Sequence, residues 1–185
     1  MNYSTSWLLD QLEQGHRVKY LLFWGHQPSK TGEITKTCFS QWWLADFVVA
    51  GVMYPSAEHW MMAEKARLFG DGAILEKILA AKSPAEAKKL GREIRGFVPE
   101  LWDERKYEIV RSGSFHKFSQ NKPLADFLLG THDRVLVEAS PVDPIWGIGL
   151  AADAADAENP AQWRGENLLG FALMEVRDEL NGRPR

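Results

Sequence analysis

The sequence predicts an α+β fold: a single compact domain, predominantly helical, with a few short β-strands. Three observations carry this expectation. Apolar residues recur at helical spacing in most of the longer segments. The few runs rich in β-branched and aromatic residues are not interleaved with helices in the βαβ manner. No internal repeat or linker divides the 185 residues, a length that suits one domain with a sizeable core. The domain is expected over 1–185, with its core at about 18–180, an N-terminal extension at 1–17 and a frayed tail at 181–185.

Each element has a local cause. Residues 6–15 suit a short amphipathic helix with Ser6 as cap and Gly15 as stop. KYLLFW (19–24) reads as a strand ending at Gly25, and the polar 27–37 stretch as a loop. CFSQWW (38–43) is either a strand or an irregular pocket wall. ADFVVAGVMY is a strand or hairpin with its turn at Gly51. Pro55 and Ser56 open a helix that Gly70-Asp71-Gly72 closes. A helix over about 72–82 stops before Pro84, and Ser83-Pro84-Ala85-Glu86 opens the next like a capping box. From Pro99 a longer helix follows, with Leu101, Trp102, Arg105, Lys106, Ile109 and Val110 at helical spacing. KPLADFLLGT is a short helix stopped by Gly130, RVLVEAS (134–140) alternates like a strand, and PVDPIWGIGL is a loop. The last helix turns Leu169, Ala172, Leu173, Val176 and Leu180 inward.

Composition narrows the function. A net charge of −3 and a pI near 6 argue against a broad basic surface for nucleic acid, though not against a pocket for one nucleotide. Cys38 is the only cysteine, so no internal disulfide forms, and no apolar run reaches the ~18 residues of a membrane span. The cytoplasm is the expected location. Eight tryptophans, several beside Gly, His or Asp, are either core or flat walls for a ring-shaped ligand.

The familiar motifs are missing. No dinucleotide or P-loop glycine pattern follows a strand, and no G-x-S-x-G elbow occurs. Glu58-His59 begins like a zinc-protease helix, but position 62 is Met, so no metal site is expected. Carboxylates remain. In YPSAEHWMMAEKARLFGDG, the residues Met61, Met62, Leu68 and Phe69 form a stripe at ~100° per residue, and Glu58 interrupts it. A carboxylate there must be paired, hydrogen-bonded or protonated. Lys65 lies near the same line, ~10.5 Å along the axis, a spacing that suits two ends of one ligand. His59 is turned ~100° away and is expected to be structural or to support Glu58. Asp143, in EASPVDPIWGIG, is either a turn former or a second functional carboxylate, and Glu138 in the same segment is a third candidate. Two carboxylates beside aromatic walls suit hydrolysis of an N-glycosidic bond, where positive charge builds on the sugar. No cofactor is needed for that chemistry.

Seven segments, in order, carry a resemblance to a known family: FWGH, CFSQWW, YPSAEHWMMAEKARLFGD, LGREIRGFVPELWDERKYEIV, KFSQNKPLADFLLGT, LVEASPVDPIWGIGL and WRGENLLGFALMEVRDEL. In these the chain resembles the YbiA/NADAR superfamily. The resemblance implies N-glycosidase chemistry, on phosphorylated riboflavin-biosynthesis intermediates in one branch and on ADP-ribosyl-guanine in nucleic acid in another. It implies catalytic roles for Glu58, Lys65 and Asp143. It places Trp102, Trp146, Gly147, Gly165, Asn167, Phe23 and Ser40 at the substrate. The chain departs from the riboflavin-intermediate pattern after Trp146-Gly147, where Ile148 stands in place of an acidic residue, and this shifts the expectation toward an ADP-ribosyl or other N-ribosyl substrate. The expected partner is therefore a small nucleotide or ribosyl-phosphate, or ADP-ribosylated nucleic acid, with no membrane. The competing expectation is a non-catalytic module that binds ADP-ribose or a nucleotide.

Overall fold

The computed structural model describes residues 1–182, so the last three residues of the expected tail lie outside the described residues. The chain runs α1 (Thr5–Glu13), β1 (Tyr20–Phe23), a 3-10 turn (Lys36–Phe39), β2 (Leu44–Val49), β3 (Val52–Ser56), α2 (Ala57–Leu68) and α3 (Gly72–Leu79). It continues through α4 (Pro84–Gly91), α5 (Pro99–Gln120), α6 (Lys122–Leu129), β4 (Val135–Glu138), a second 3-10 turn (Pro160–Gln162) and α7 (Leu168–Leu180). This is the helix-rich α+β composition expected. Tertiary contacts gather into two compact units, 1–40 with 123–185, and 41–122.

In the first unit, β1 pairs in parallel with β4, from Tyr20 opposite Val135 to Phe23 opposite Glu138. The alternation expected of 134–140 is not what the structure shows. Val135, Leu136 and Val137 are all buried, because a parallel pair is covered on both faces. Helix α7 lies against β4 at Gly170, where a Cβ would come 2.1 Å from the Leu136 carbonyl. The inward residues expected of α7 are buried, apart from Leu180, which is partly exposed. The cap of helix α1 lies two residues earlier than expected. Ser4, not Ser6, is its cap, its hydroxyl accepting from the Trp7 N–H.

In the second unit, β2 and β3 form an antiparallel hairpin whose turn residues Ala50 and Gly51 both have positive φ. The CFSQWW segment is not a strand: its first residues close the 3-10 turn of the first unit, and Gln41, Trp42 and Trp43 enter the second as turn and bend. Helix α2 is the hub, packing on β3, α3, α4 and α5. The single-stripe expectation for α2 needs correction. Every residue from Ala57 to Ala63 is buried, because neighbours surround the first two turns on all sides. Glycines let these neighbours close in. A Cβ on Gly113 of α5 would lie 2.3 Å from the Trp60 ring, and one on Gly91 of α4 would lie 2.0 Å from Met62 Sδ. The buried line of α5 is Lys106, Val110, Gly113, Ser114, Lys117 and Phe118, and Arg105, which shares the helical spacing, is exposed. Asp71 joins the caps to the loop after α4. It caps α3 through the Ile74 N–H and takes both the side chain and the backbone N–H of Arg95.

Candidate active site

Glu58 is the second residue of α2 and is only 2% exposed. Its backbone N–H donates to the Gln41 carbonyl at 2.9 Å, which ties the start of α2 to the 38–43 wall. The carboxylate therefore sits at the positive end of the helix dipole. Its neighbour His59 holds that end in place. The His59 Nε2–H donates to the Ala81 carbonyl at 3.2 Å, which leaves Nδ1 to accept from the Ser56 hydroxyl at 2.7 Å. The same Ser56 oxygen accepts from the His59 backbone N–H as the helix cap. Burial pushes the His59 pKa below its ordinary value, so the ring is neutral. His59 is structural, as expected.

Seven residues on, Lys65 is half-buried. Its ammonium donates to the Gly91 carbonyl at 3.1 Å, at the carbonyl end of α4. It lies 4.3 Å from the Phe97 ring centre and 5.4 Å from that of Trp102. Burial lowers its pKa from the ordinary lysine value, and no carboxylate among the described residues pairs with it. Phe97, which sequence reasoning missed, is 41% exposed and stacks edge-on against Phe69. Its signal was the apolar pair Phe97-Val98, set between Gly96 and the helix-opening Pro99, where a loop is normally polar. Glu58, Lys65 and Trp102 thus belong to one unit. The cavity of about 580 Å³ lined by Trp60, Glu64, Arg67 and Arg105 opens on another side of α2. Trp60 and Arg67 are roughly 160–180° round the helix from Glu58.

The remaining expected site residues belong to the other unit, most of them on the loop between β4 and α7. Asp143 Oδ1 accepts from the backbone N–H groups of Ile145 and Trp146, at 3.0 and 2.9 Å. That bond shapes the turn which presents the half-buried Trp146. Gly147 and Gly165 are required by packing. A Cβ on Gly165 would lie 2.3 Å from the Gly147 carbonyl, and one on Gly147 2.7 Å from that of Glu138. Asn167 is fully buried in the left-handed region, with φ 55°. Its Nδ2 donates to Leu136 O and its Oδ1 accepts from Glu138 N–H, both at 2.9 Å, so its amide acts as a strand neighbour of β4. Phe23 is 1% exposed, edge-on to Phe39 in the core, and Ser40 is partly exposed at the end of the 3-10 turn. Ile148 is fully buried and donates its N–H to Glu138 O, so the position bears on packing. Glu138 ends β4. Among the described residues, no three His, Cys, Asp or Glu gather to hold a metal ion, and no helix is long and apolar enough to cross a membrane.

Comparison with known proteins bears on this arrangement. The NADAR domain family model matches residues 22–181. N-glycosidase R617 of Acanthamoeba polyphaga mimivirus is 43% identical over 166 residues, which are 87% of this chain and 96% of that protein. N-glycosidase YbiA of Escherichia coli is 32% identical over 132 residues, 71% of this chain and 74% of its own. The NMR structure of E. coli YbiA superposes with a TM-score of 0.70 at 27% identity, covering 90% of this chain and 87% of that one. Riboflavin biosynthesis protein VVA0006 of Vibrio vulnificus is 39% identical over 132 residues, 71% of this chain but 32% of that protein.

Proposed function

The chain belongs to the NADAR domain family and is an N-glycosidase, and from that premise we propose that Glu58 is the carboxylate through which it cleaves ribosyl and ADP-ribosyl N-bonds. The observation that carries this reading is the placement of Glu58. It is a nearly inaccessible carboxylate on the first turn of α2, where every residue from Ala57 to Ala63 is buried, and it is anchored through its own N–H. Burial of that kind costs stability and is retained where the group has chemistry to perform.

Cleavage breaks the bond between C1′ and the base nitrogen. Positive charge grows on the sugar, and a fixed carboxylate stabilises it or takes the proton of the attacking water. The water oxygen bonds to C1′, and the base leaves with its nitrogen protonated. Lys65 holds the anionic end of the substrate, its phosphate or diphosphate, while Phe97 and Trp102 frame the ammonium. In the other unit, Asp143 is the second candidate carboxylate, and it orders the turn bearing Trp146. Gly147, Gly165 and Asn167 fix the backbone of that same unit around this turn. The family model spans both compact units, which supports reading 1–185 as one functional domain. With Cys38 alone and no membrane-crossing helix among the described residues, we place its action in the cytoplasm.

Two substrate classes follow: ADP-ribosyl-guanine, and the phosphoribosyl-aminopyrimidine intermediates of riboflavin synthesis. Incubating the protein with an oligonucleotide bearing the first, and separately with the second, decides between them by mass spectrometry. Release of ADP-ribose assigns the nucleic-acid class, and release of ribose 5-phosphate the riboflavin class. Tight ADP-ribose binding with no release from either would contradict hydrolysis and leave a binding module.

A further inference from the structure

Gln41 carries a role that the catalytic assignment does not use. It is 7% exposed, and its backbone carbonyl is the acceptor for the Glu58 N–H. Its side-chain Nε2 donates to the Ser114 hydroxyl at 3.3 Å, and Ser114 is fully buried on α5. This bond sets the direction of the amide. The other polar atom, Oε1, is buried and accepts no hydrogen bond from the described residues. A buried amide oxygen without a donor is unfavourable, and native structures retain few of them without a reason. Here the atom belongs to the residue that anchors Glu58, and both belong to the same unit.

We propose that Gln41 is a substrate-contacting residue whose Oε1 accepts a hydrogen bond from the ribosyl 2′-hydroxyl during cleavage. An acceptor requires a donor from the ligand. The 2′-hydroxyl is the donor on the carbon next to C1′, where a carboxylate such as Glu58 acts. Ser114 is then a positioning residue, fixing the amide so that Oε1 is the atom presented. This assignment rests on the reading of Glu58 as the reacting carboxylate. It adds a chemical preference that Glu58 alone does not supply: ribosyl over 2′-deoxyribosyl substrates.

Calorimetric titration with ribose 5-phosphate and 2-deoxyribose 5-phosphate tests it on wild type, Gln41→Leu and Gln41→Met, with melting temperatures measured in parallel. Wild type is expected to favour ribose 5-phosphate by on the order of tenfold, the worth of one well-placed hydrogen bond. Both variants are expected to lose that preference, binding the two sugars alike. Their melting temperatures should stay near wild type, because removing an unsatisfied buried oxygen offsets the loss of the Nε2–Ser114 hydrogen bond. Equal binding of both sugars by wild type, binding of neither, or an unchanged preference in the variants overturns the proposal. Failure of the Glu58 reading shows separately, as undiminished turnover in Glu58→Gln.

Discussion

The ammonium of Lys65 faces the ring of Phe97 at 4.3 Å, with Trp102 at 5.4 Å and the Gly91 carbonyl at 3.1 Å. These groups stabilise a cation without neutralising it. Each ring contact contributes about 0.5–2 kcal/mol, and the carbonyl adds a charge-assisted hydrogen bond. The positive charge therefore remains for an anion to meet, and Phe97 beside it is 41% exposed.

Substituting Lys65→Met should raise KM for a phosphorylated substrate by roughly tenfold to a hundredfold, since a desolvated charge pair is lost. Lys65→Arg keeps the charge. Burial lowers the Lys65 pKa, so wild-type kcat/KM should fall as pH rises through that value, before the ordinary lysine range near ~10.4. The limb should move upward in Lys65→Arg. Stability runs the other way. Between the folded pKa and ~10.4 the unfolded chain holds more protons, so the desolvation cost of Lys65 shrinks as pH rises. A pH series of kcat/KM for both proteins checks the limb.

His59 makes a second pH prediction. Its folded pKa is lowered by burial, so its contribution is complete above the ordinary value of ~6.5 and is lost as pH falls through the folded value. His59→Leu should cost about 1–3 kcal/mol at neutral pH, leaving Ser56 and the Ala81 carbonyl without their partner. It should also flatten the loss of stability just below pH ~6.5. Urea unfolding at several pH values measures both effects. Asp71, whose pKa the Arg95 side chain holds well below the carboxylate range, gives a separate loss at far lower pH.

The two helix contacts made through glycine should respond differently to alanine. Gly113→Ala drives a methyl into the Trp60 ring, which its own N–H fixes to Ile109 O at 2.8 Å. We expect a loss of about 1–3 kcal/mol, against the ~1 kcal/mol that alanine gains in a helix. Gly91→Ala meets the flexible end of Met62, which can turn aside, and should be nearly neutral. Thermal unfolding of the two variants tests the contrast.

Much of this fold was legible in the sequence, and the failures have physical causes. Caps and stops placed α2, α3, α4 and α5 because Ser56, Asp71, Ser83 and Pro99 act on their own helix. The period of α2 was misleading because a helix enclosed on every side has no single apolar face, so Glu58 is one buried residue among eight. The parallel pairing of β1 with β4 left no local trace, since parallel partners are distant in sequence. Asn167 could be picked out as special but not understood. Its amide completes a strand edge that only the fold brings near. Gln41 needed the structure, because it is notable only for what lies beside it.

Asp143 separates a turn from a charge. Asp143→Asn retains an oxygen to accept the Ile145 and Trp146 N–H groups and should fold as wild type. Asp143→Ala loses both bonds and should be less stable by about 1 kcal/mol. If its charge serves cleavage, Asp143→Asn should still lower kcat on the order of tenfold to a hundredfold. Activity assays beside melting curves distinguish the two contributions.

The most direct test is single-turnover release by wild type and Glu58→Gln on the same N-ribosyl substrate, followed by mass spectrometry, with both melting temperatures recorded. Removing the carboxylate charge while keeping its shape should lower the rate by at least about a hundredfold and leave the melting temperature near wild type. Wild-type rates from a folded Glu58→Gln protein would contradict the account at its centre.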